Sequence, residues 1–448
     1  MFGNWSSAFA HNGQNHWEAA ASLNVPSLDR EIGIEVYATQ KKGIGGIIRQ
    51  FPEDFRVEEI LTDDSKAQIE QKTIPVEGRG RYLVCVLVKR NLDTFLAVRT
   101  IAESLGIDQE RIQIAGMKDA RALTAQHVSI GRMLPEQVAD AKFNNVCLYP
   151  LRFSNEKIHS GLLYGNQFHI ILRAISNPSS ETMERLESVR NELLKLGGSP
   201  NFFGHQRFGT TRPITHLVGK HILLGEWKKA AFAFLAKSSP YEHPESRWAR
   251  QQLWNNQDYR EAFRCFPSRL VYEREMLNHL AKRHGDFVGA FHRLPEKLRQ
   301  LFINAYQSYL FNKFLSQRIL HGLPLNKARR GEFKLKIGDE EFLALPIIGH
   351  KQFVSKDKQG RIEKQILESE GVAPRDFKIH AMPQISSSGG LRTTTTPLIG
   401  LNIENPLEDK ANPKRKMVNL AFTLGKGSYA TIALREFMKP SNPIHAGF

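Results

Sequence analysis

The chain has 448 residues, of which 41% are hydrophobic and 24% are charged, which is typical of a globular protein with two or three domains. No run of about 18 apolar residues occurs, so no membrane helix is expected, and the polar N-terminus does not resemble a secretory signal. The formal charge of +16 favours a polyanionic partner, although charge alone does not separate RNA from DNA or an acidic membrane surface. Three widely spaced cysteines argue against a disulfide framework or a CxxC zinc site, and we expect a cytoplasmic protein.

The first half of the chain predicts strands interspersed with two helices. After a polar, aperiodic stretch to residue 42, strand patterns cover residues 55–59, 82–89, 112–115, 124–130 and 167–173. Asp93 or Thr94 can cap a helix that Gly106 ends. A second helical period starts at Ser180 and ends at Gly197.

The second half of the chain changes character twice. Residues 217–320 carry helical periods and few strand signals, whereas residues 383–396 are rich in Ser, Thr and Gly and predict a connecting loop. Strand patterns at 398–403 and 417–424 precede a helix at about 430–438. This succession predicts an α+β domain that is interrupted by an inserted domain.

The segment AGMKDARALTAQ (115–126) carries the strongest chemical signal. It places Gly116, Lys118 and Asp119 in a short turn between two predicted strands. A neighbouring cation keeps a carboxylate ionised, and only the ionised form can act as a nucleophile or base. The alternative interpretation is a structural turn, because Gly and Asp are common turn residues.

Two further segments have chemical potential. NFFGHQRFG (201–209) combines three phenylalanines with amides and Arg207, a mixture that can stack on bases and hold phosphate, although a Phe-rich core segment is the commoner explanation. GKGSYATIALREF (425–437) could cradle a phosphate at a helix N-terminus, or Ser428 could simply cap that helix. No HExxH motif or close histidine cluster indicates a metal site.

Taken together, these segments resemble the TruD family of pseudouridine synthases, in the family's order. PEDFRVEE (52–59), KRNLDT (89–94), GLLYGNQFHIILR (161–173), NFFGHQRFG, QSYLFN (307–312) and GSYATIALRE (427–436) are similar to family segments. The most specific signature, GxKDxxAxTxQ, is matched by Gly116, Lys118, Asp119, Ala122, Thr124 and Gln126. The resemblance extends from about residue 43 to 438 and is closest to the larger archaeal and eukaryotic type of member.

The resemblance implies an α+β fold, namely the pseudouridine synthase catalytic fold with a curved, mostly antiparallel sheet and an inserted family-specific TRUD domain. We predict an N-terminal extension (1–42), a catalytic domain (43–210 and 393–448) and an inserted domain (211–392). A basic cleft between the two domains is expected.

The resemblance also implies roles for individual residues. Asp119 would be the catalytic carboxylate, and Phe55 would contact the target nucleotide. Asn201 and Phe203 would hold and stack a displaced base. The remaining candidates for contact with substrate or RNA are Tyr429, Arg49, Lys118 and Arg207.

The implied reaction converts uridine, expected at position 13 of tRNA, to pseudouridine without a metal or other cofactor. Other RNAs are further candidate substrates, and neither a membrane nor an obligate protein partner is expected. Two alternatives stay open. A non-catalytic RNA-binding protein on the same fold would not need a carboxylate near phosphate, and a glycosidase or nuclease would need a second acid or a metal cluster.

Overall fold

The computed structural model describes residues 24–139, 141, 143 and 145–448. These residues form two compact units. The sheet unit comprises Gly43–Asn191, Thr396–Pro440 and His445–Phe448, and the helical unit comprises the described residues up to Lys42 with Glu192–Thr395 and Ser441–Ile444. The units therefore change at residues 191 and 395, whereas the inserted domain was predicted to span residues 211–392. The predicted domain boundaries stay a prediction.

The regular elements are as follows. The strands are β1 (Phe55–Leu61), β2 (Tyr82–Arg90), β3 (Ile112–Ile114), β4 (Leu123–Gly131), β5 (Val146–Ser154), β6 (Leu163–Ile175), β7 (Ser199–Pro200), β8 (Phe333–Ile337), β9 (Glu340–Ile347), β10 (Gly390–Thr393), β11 (Thr395–Thr396), β12 (Ile399–Ile403), β13 (Leu407–Glu408) and β14 (Lys416–Gly425). The helices are α1 (Ser27–Glu31), α2 (Thr94–Leu105), α3 (Pro135–Ala139), α4 (Ser179–Lys195), α5 (Thr215–Leu223), α6 (Trp227–Leu235), α7 (Pro244–Asn256), α8 (Tyr259–Cys265), α9 (Val271–Lys282), α10 (Phe287–His292), α11 (Glu296–Leu320), α12 (Asp357–Glu370) and α13 (Ala430–Met438). No helix of the described residues is both long and apolar enough to cross a membrane.

The sheet unit is built on a nine-stranded sheet in the order β12-β14-β6-β1-β4-β2-β5, with β13 beside β14 and β3 beside β4. Among the described strand pairs of this sheet, β1 and β4 are parallel and the others are antiparallel, so the sheet is mixed and mostly antiparallel, as predicted. Strand β2 is buried on both faces from Leu83 to Val88, which confirms the prediction from its continuous apolar run. Leu83 and the other apolar side chains on the same face of β2 pack with α2 in a core that includes Ile101 and Val128.

Helix α2 begins and ends where the sequence predicts. The Asp93 carboxylate accepts hydrogen bonds from the amides of Phe95 and Leu96 and so caps the first turn. Gly106 closes the helix with φ of 63°, a left-handed conformation that glycine adopts without steric cost. The helix therefore has a fixed start, directly after Asp93.

The helical unit is organised around the 25-residue helix α11. Most residues of this helix are buried. Helix α5 packs against it so closely that a Cβ atom on Gly219 would lie 2.0 Å from the Phe302 carbonyl oxygen. Part of the predicted extension joins this unit, since the Asn312 amide donates to the carbonyl of Ile32 at 2.9 Å. Gly33 and Glu35 also bond to Ser316 and Lys313, so residues 32–35 contact α11; residues 1–23 of the predicted extension lie outside the described residues.

The prediction of a loop at residues 383–396 is wrong from residue 390 onward. Residues 390–393 form β10, which pairs with β9 in a three-stranded sheet with β8. The Ser/Thr/Gly content concealed this strand, because the strand forms by pairing with a partner about 45 residues earlier in the chain. Strands β5, β8 and β9 and helix α12 were not predicted at all.

Candidate functional site

The loop that carries Asp119 joins β3 to β4, and residues of the predicted signature hold it at both ends. The Gln126 amide donates to the Gly116 carbonyl at 3.1 Å. At the other end, the Asn91 amide donates to the carbonyl of Ala122 at 3.0 Å, and Ala122 is fully buried. Several signature residues therefore fix the loop to the neighbouring strands.

A buried lysine anchors the centre of this loop. Lys89, the penultimate residue of β2, donates from Nζ to the carbonyls of Asp119 and Leu92, both at 2.7 Å. The Thr94 hydroxyl contacts both the carbonyl and the amide of Lys118, at 3.2 and 3.1 Å. These contacts attach the backbone around Asp119 to β2 and to the start of α2.

Burial makes the ammonium of Lys89 easier to deprotonate. Because its ammonium is removed from water, the pKa of Lys89 falls from 10.5 to about 8, and the nearby carboxylates of Asp119 and Asp93 limit the fall. An ammonium in this position is costly unless carbonyls and carboxylates surround it, and here they do.

The Asp119 carboxylate pairs with Arg49. Arg49 donates from Nη2 to Oδ1 of Asp119 at 2.9 Å and from Nη1 to the carbonyl of Gly447 at 3.0 Å. The Arg49 side chain is 6% exposed, whereas that of Asp119 is 31% exposed. The Asp119 carboxylate therefore remains accessible, while the buried Arg49 that pairs with it is held by the carbonyl of Gly447.

The backbone is strained at Arg49, the residue whose side chain pairs with Asp119. Arg49 has φ of 57°, a left-handed conformation that costs a non-glycine residue about 1–2 kcal/mol. Its guanidinium lies over the ring of Phe55, 4.0 Å from the centroid. Burial lowers the pKa of Arg49, and the Asp119 carboxylate opposes that fall.

A second, fully buried ion pair lies beneath the loop. Lys118 Nζ contacts Oε2 of Glu59 at 2.5 Å, and the His127 amide donates to Oε1 of Glu59 at 2.9 Å. Burial alone would raise the pKa of Glu59, but its hydrogen bonds with His127 and the charge of Lys118 hold that pKa below its ordinary value. Glu59 and Lys118 thus join β1 to the residue that precedes Asp119.

These placements bear on three predicted roles. The side chain of Lys118 is 3% exposed and paired with Glu59, which fits support of the loop better than the predicted RNA contact. Phe55 is 1% exposed, so its ring supports Arg49 and presents little surface to a nucleotide. Tyr429 is half-buried at the N-cap of α13.

The alternative prediction that Ser428 caps α13 is wrong. The N-cap residue is Tyr429, which makes no capping bond through its side chain. The hydroxyl of Ser428 instead lies 3.0 Å from that of Thr396. The sequence suggested Ser428 because serine is a strong N-cap former, but the helix starts one residue later.

The remaining candidates form a cluster within the helical unit. The amide of Asn201 donates to the hydroxyl of Thr393 at 2.9 Å, and its oxygen accepts from Arg392 at 2.6 Å. The guanidinium of Arg392 lies 4.0 Å from the ring centroid of Phe203, and that of Arg207 lies at 5.5 Å. Phe203 is 5% exposed and meets Phe311 edge to face, as a core phenylalanine does.

Sequence reasoning missed two residues that position Asp119. Lys89 ended an apolar run, and Glu59 belonged to a strand motif; neither was proposed as part of the site. A charged residue at the end of an otherwise buried strand was the available signal, because such charges are rarely buried without a partner. Within the described residues, no group of three or more His, Cys, Asp or Glu side chains is placed to hold a metal ion.

The fold and this site define an α+β protein that presents one anchored carboxylate beside a mixed, mostly antiparallel sheet. The family model described as tRNA pseudouridine synthase D (TruD) matches residues 31–342 and 334–437. The chain therefore belongs to the TruD family, which confirms the resemblance found in its motifs.

Individual relatives match along most of their length. A protein from Methanosarcina barkeri named "Probable tRNA pseudouridine synthase D" is 37% identical over 448 residues, which cover 93% of this chain and 98% of the relative. One of the same name from Methanopyrus kandleri is 38% identical over 364 residues, which cover 81% and 86%. The crystal structure described as tRNA pseudouridine synthase D (TruD) from Methanosarcina mazei matches with a TM-score of 0.78 and 37% identity, covering 94% of this chain and 100% of that chain. The predicted fold class is thereby confirmed.

Proposed function

We propose that this protein converts uridine in tRNA to pseudouridine, with Asp119 as the reacting carboxylate. Membership of the TruD family and the names of the relatives support this activity. The observation that carries the proposal is the accessible Asp119 carboxylate, which Arg49 holds at Oδ1 and Lys89 holds through the backbone. Uridine 13 is the proposed position, as the family resemblance implies.

The reaction is an isomerisation. The N1–C1′ bond breaks, the uracil turns, and a bond forms from C5 to C1′; C5 loses a proton and N1 gains one. The balance needs no oxidant, reductant or water, and we propose that no cofactor takes part. Asp119 either adds to C1′ or removes a proton from the sugar to give a glycal, and both routes need the ionised carboxylate beside the ribose.

The local geometry supports this chemistry through preorganisation. A carboxylate whose backbone and one oxygen are already fixed loses little freedom when the substrate arrives, and such positioning can lower the barrier by several kcal/mol. The uridine must leave its stack to reach Asp119, at a cost of about a few kcal/mol. We propose that contacts with phosphates and aromatic rings offset this cost.

Asp119→Asn tests the proposal, because it keeps the side chain's shape and removes its charge. We expect unmodified tRNA to retain its affinity for the variant, the melting temperature to stay close to that of the wild type, and pseudouridine formation to fall below a few per cent. Mapping pseudouridine in the product tRNA also tests the position.

The outcomes separate the alternatives. Wild-type protein that binds tRNA but forms no pseudouridine would support a non-catalytic RNA-binding protein. Release of free uracil or strand cleavage would support a glycosidase or nuclease. Near-normal turnover by Asp119→Asn would remove Asp119 from the reaction. Testing other RNAs would define the substrate range, and we propose a cytoplasmic location.

A further inference from the structure

A basic cleft in the sheet unit lies apart from the residues around Asp119. It has a volume of about 690 Å³ and is lined by the cations Arg81, Arg111, Arg132 and Lys157. A single carboxylate, that of Glu110, lines it as well. Four cations against one carboxylate leave an excess of three positive charges within one concave surface.

The cations of this cleft are available to an external anion. Arg81, Arg132 and Lys157 are exposed, and the described part of the chain offers none of them an ion-pair partner within 4 Å. Arg111 is instead fixed, because its guanidinium donates to the carbonyl of Gly131 at 2.6 and 3.0 Å and to that of Arg132 at 2.7 Å. Like charges in one cleft repel each other, so a bound anion would relieve this repulsion.

The cleft and Asp119 lie at opposite ends of the same strands. Strands β2 and β4 pair from Tyr82 with Gly131, at the cleft, to Arg90 with Leu123, beside the Asp119 loop. Eight residue steps at about 3.4 Å each separate these ends by roughly 27 Å. A single nucleotide is too short to contact both.

We infer that this cleft binds the phosphate backbone of the tRNA at a point remote from the target uridine, an inference that rests on the proposed function. The occupant is polyanionic, because four of the eight lining residues are cations and only one is a carboxylate. The contact supplies affinity and orientation and takes no part in the reaction at Asp119. Phosphate contacts of this kind carry no sequence information, so the cleft contributes equally to every tRNA that presents a backbone there.

The test compares three triple variants on full-length unmodified tRNA. The first, Arg81→Gln/Arg132→Gln/Lys157→Gln, removes the charge of the cleft. The second, Arg81→Lys/Arg132→Lys/Lys157→Arg, keeps that charge. The third, Lys282→Gln/Lys336→Gln/Lys364→Gln, lowers the net charge equally through three exposed lysines of the helical unit.

Neutralising the cleft should reduce the slope of log affinity against log salt by about 2–3, because each phosphate contact contributes about 0.7–0.9 to that slope. Near physiological salt, the affinity for tRNA should fall about ten- to hundredfold. KM should rise in proportion while kcat at saturating tRNA stays unchanged. The charge-keeping variant should behave like the wild type, and the variant of the helical unit should lose much less.

An unchanged slope in the first variant, or an equal loss in the third, would overturn the inference, since the charge of the cleft would then have no local role. A fall in kcat without a change in KM would also overturn it. Failure of the proposed function looks different, because the wild-type protein would then form no pseudouridine while the affinities would still report on the cleft.

Discussion

Lys89→Met isolates the contribution of the buried ammonium to the position of Asp119. Methionine has a similar length and suits an apolar strand, but it cannot donate to the carbonyls of Asp119 and Leu92. Lys89 itself is 1% exposed, so water cannot readily replace the lost donor. The change therefore releases the backbone of the loop while leaving the Asp119 side chain chemically intact.

Two opposing terms decide the effect on stability. Two hydrogen bonds from a charged donor contribute about 1.5–3 kcal/mol each. Against this, the fall in the pKa of Lys89 from 10.5 to about 8 means that the fold disfavours the ammonium relative to the neutral amine by a net amount of about 3 kcal/mol. The difference is about 0–3 kcal/mol, so we expect only a modest loss of stability from Lys89→Met.

The effect on turnover should be larger. A displacement of about 1 Å in a reacting group can reduce the rate about 10²-fold, and the Asp119 carbonyl loses its bond to Nζ. The assay is single-turnover pseudouridine formation on unmodified tRNA from pH 6 to 9.5, with thermal unfolding in parallel. Lys66→Met is the matched control, because it removes a partly exposed lysine that pairs with Glu58 elsewhere in the sheet unit.

The pH dependence gives a second readout. In the wild type, the rate should decline as the pH rises through about 8, where the Lys89 ammonium loses its proton. The slow Lys89→Met variant should lack this decline. Because the folded-state pKa lies below 10.5, the unfolded chain binds more protons between about pH 8 and 10.5, and the contribution of Lys89 to stability rises across that window. A normal rate in Lys89→Met would refute the positioning role, whereas a wild-type rate that is flat to pH 9.5 would show that the neutral amine holds the two carbonyls as well as the ammonium does.

Two further predictions concern Phe203 in the helical unit and the proposal that the reaction needs no cofactor. Phe203→Ala should lower the free energy of unfolding by about 3–5 kcal/mol, because a core phenylalanine is lost, and chemical denaturation measures this; an unchanged stability with a slow catalytic step would instead support base stacking. Exhaustive chelation should leave single-turnover pseudouridine formation unchanged as long as the tRNA stays folded, since the proposed reaction needs only the Asp119 carboxylate. Activity that is lost on chelation and restored by zinc or magnesium, with the tRNA structure unchanged, would contradict that mechanism.

Local patterns predicted those elements whose signals lie within their own sequence. The apolar run of β2 and the caps of α2, Asp93 and Gly106, are short-range features, and both were found. Strand β10 was missed because its partner β9 lies far from it in the chain. The residues that pair with one another around Asp119 are also far apart in the chain. Glu59 and Lys118 are 59 residues apart, and Arg49 and Gly447 are 398 residues apart. Hydrophobic periodicity along the chain gives no information about which distant residues pair.

The signature around Asp119 shows why a motif locates a carboxylate more securely than it assigns the neighbouring residues. Gln126 and Ala122 hold the loop, and Lys118 is buried on Glu59. Asp119, the residue that follows Lys118, has nearly a third of its side chain exposed. A substitution at Gln126 or Lys118 would therefore act on the reaction through the position of Asp119, and its effect should follow loop geometry rather than RNA affinity. In this chain, a position next to Asp119 in sequence therefore does not by itself indicate exposure to a substrate, since Lys118 is buried while Asp119 is accessible.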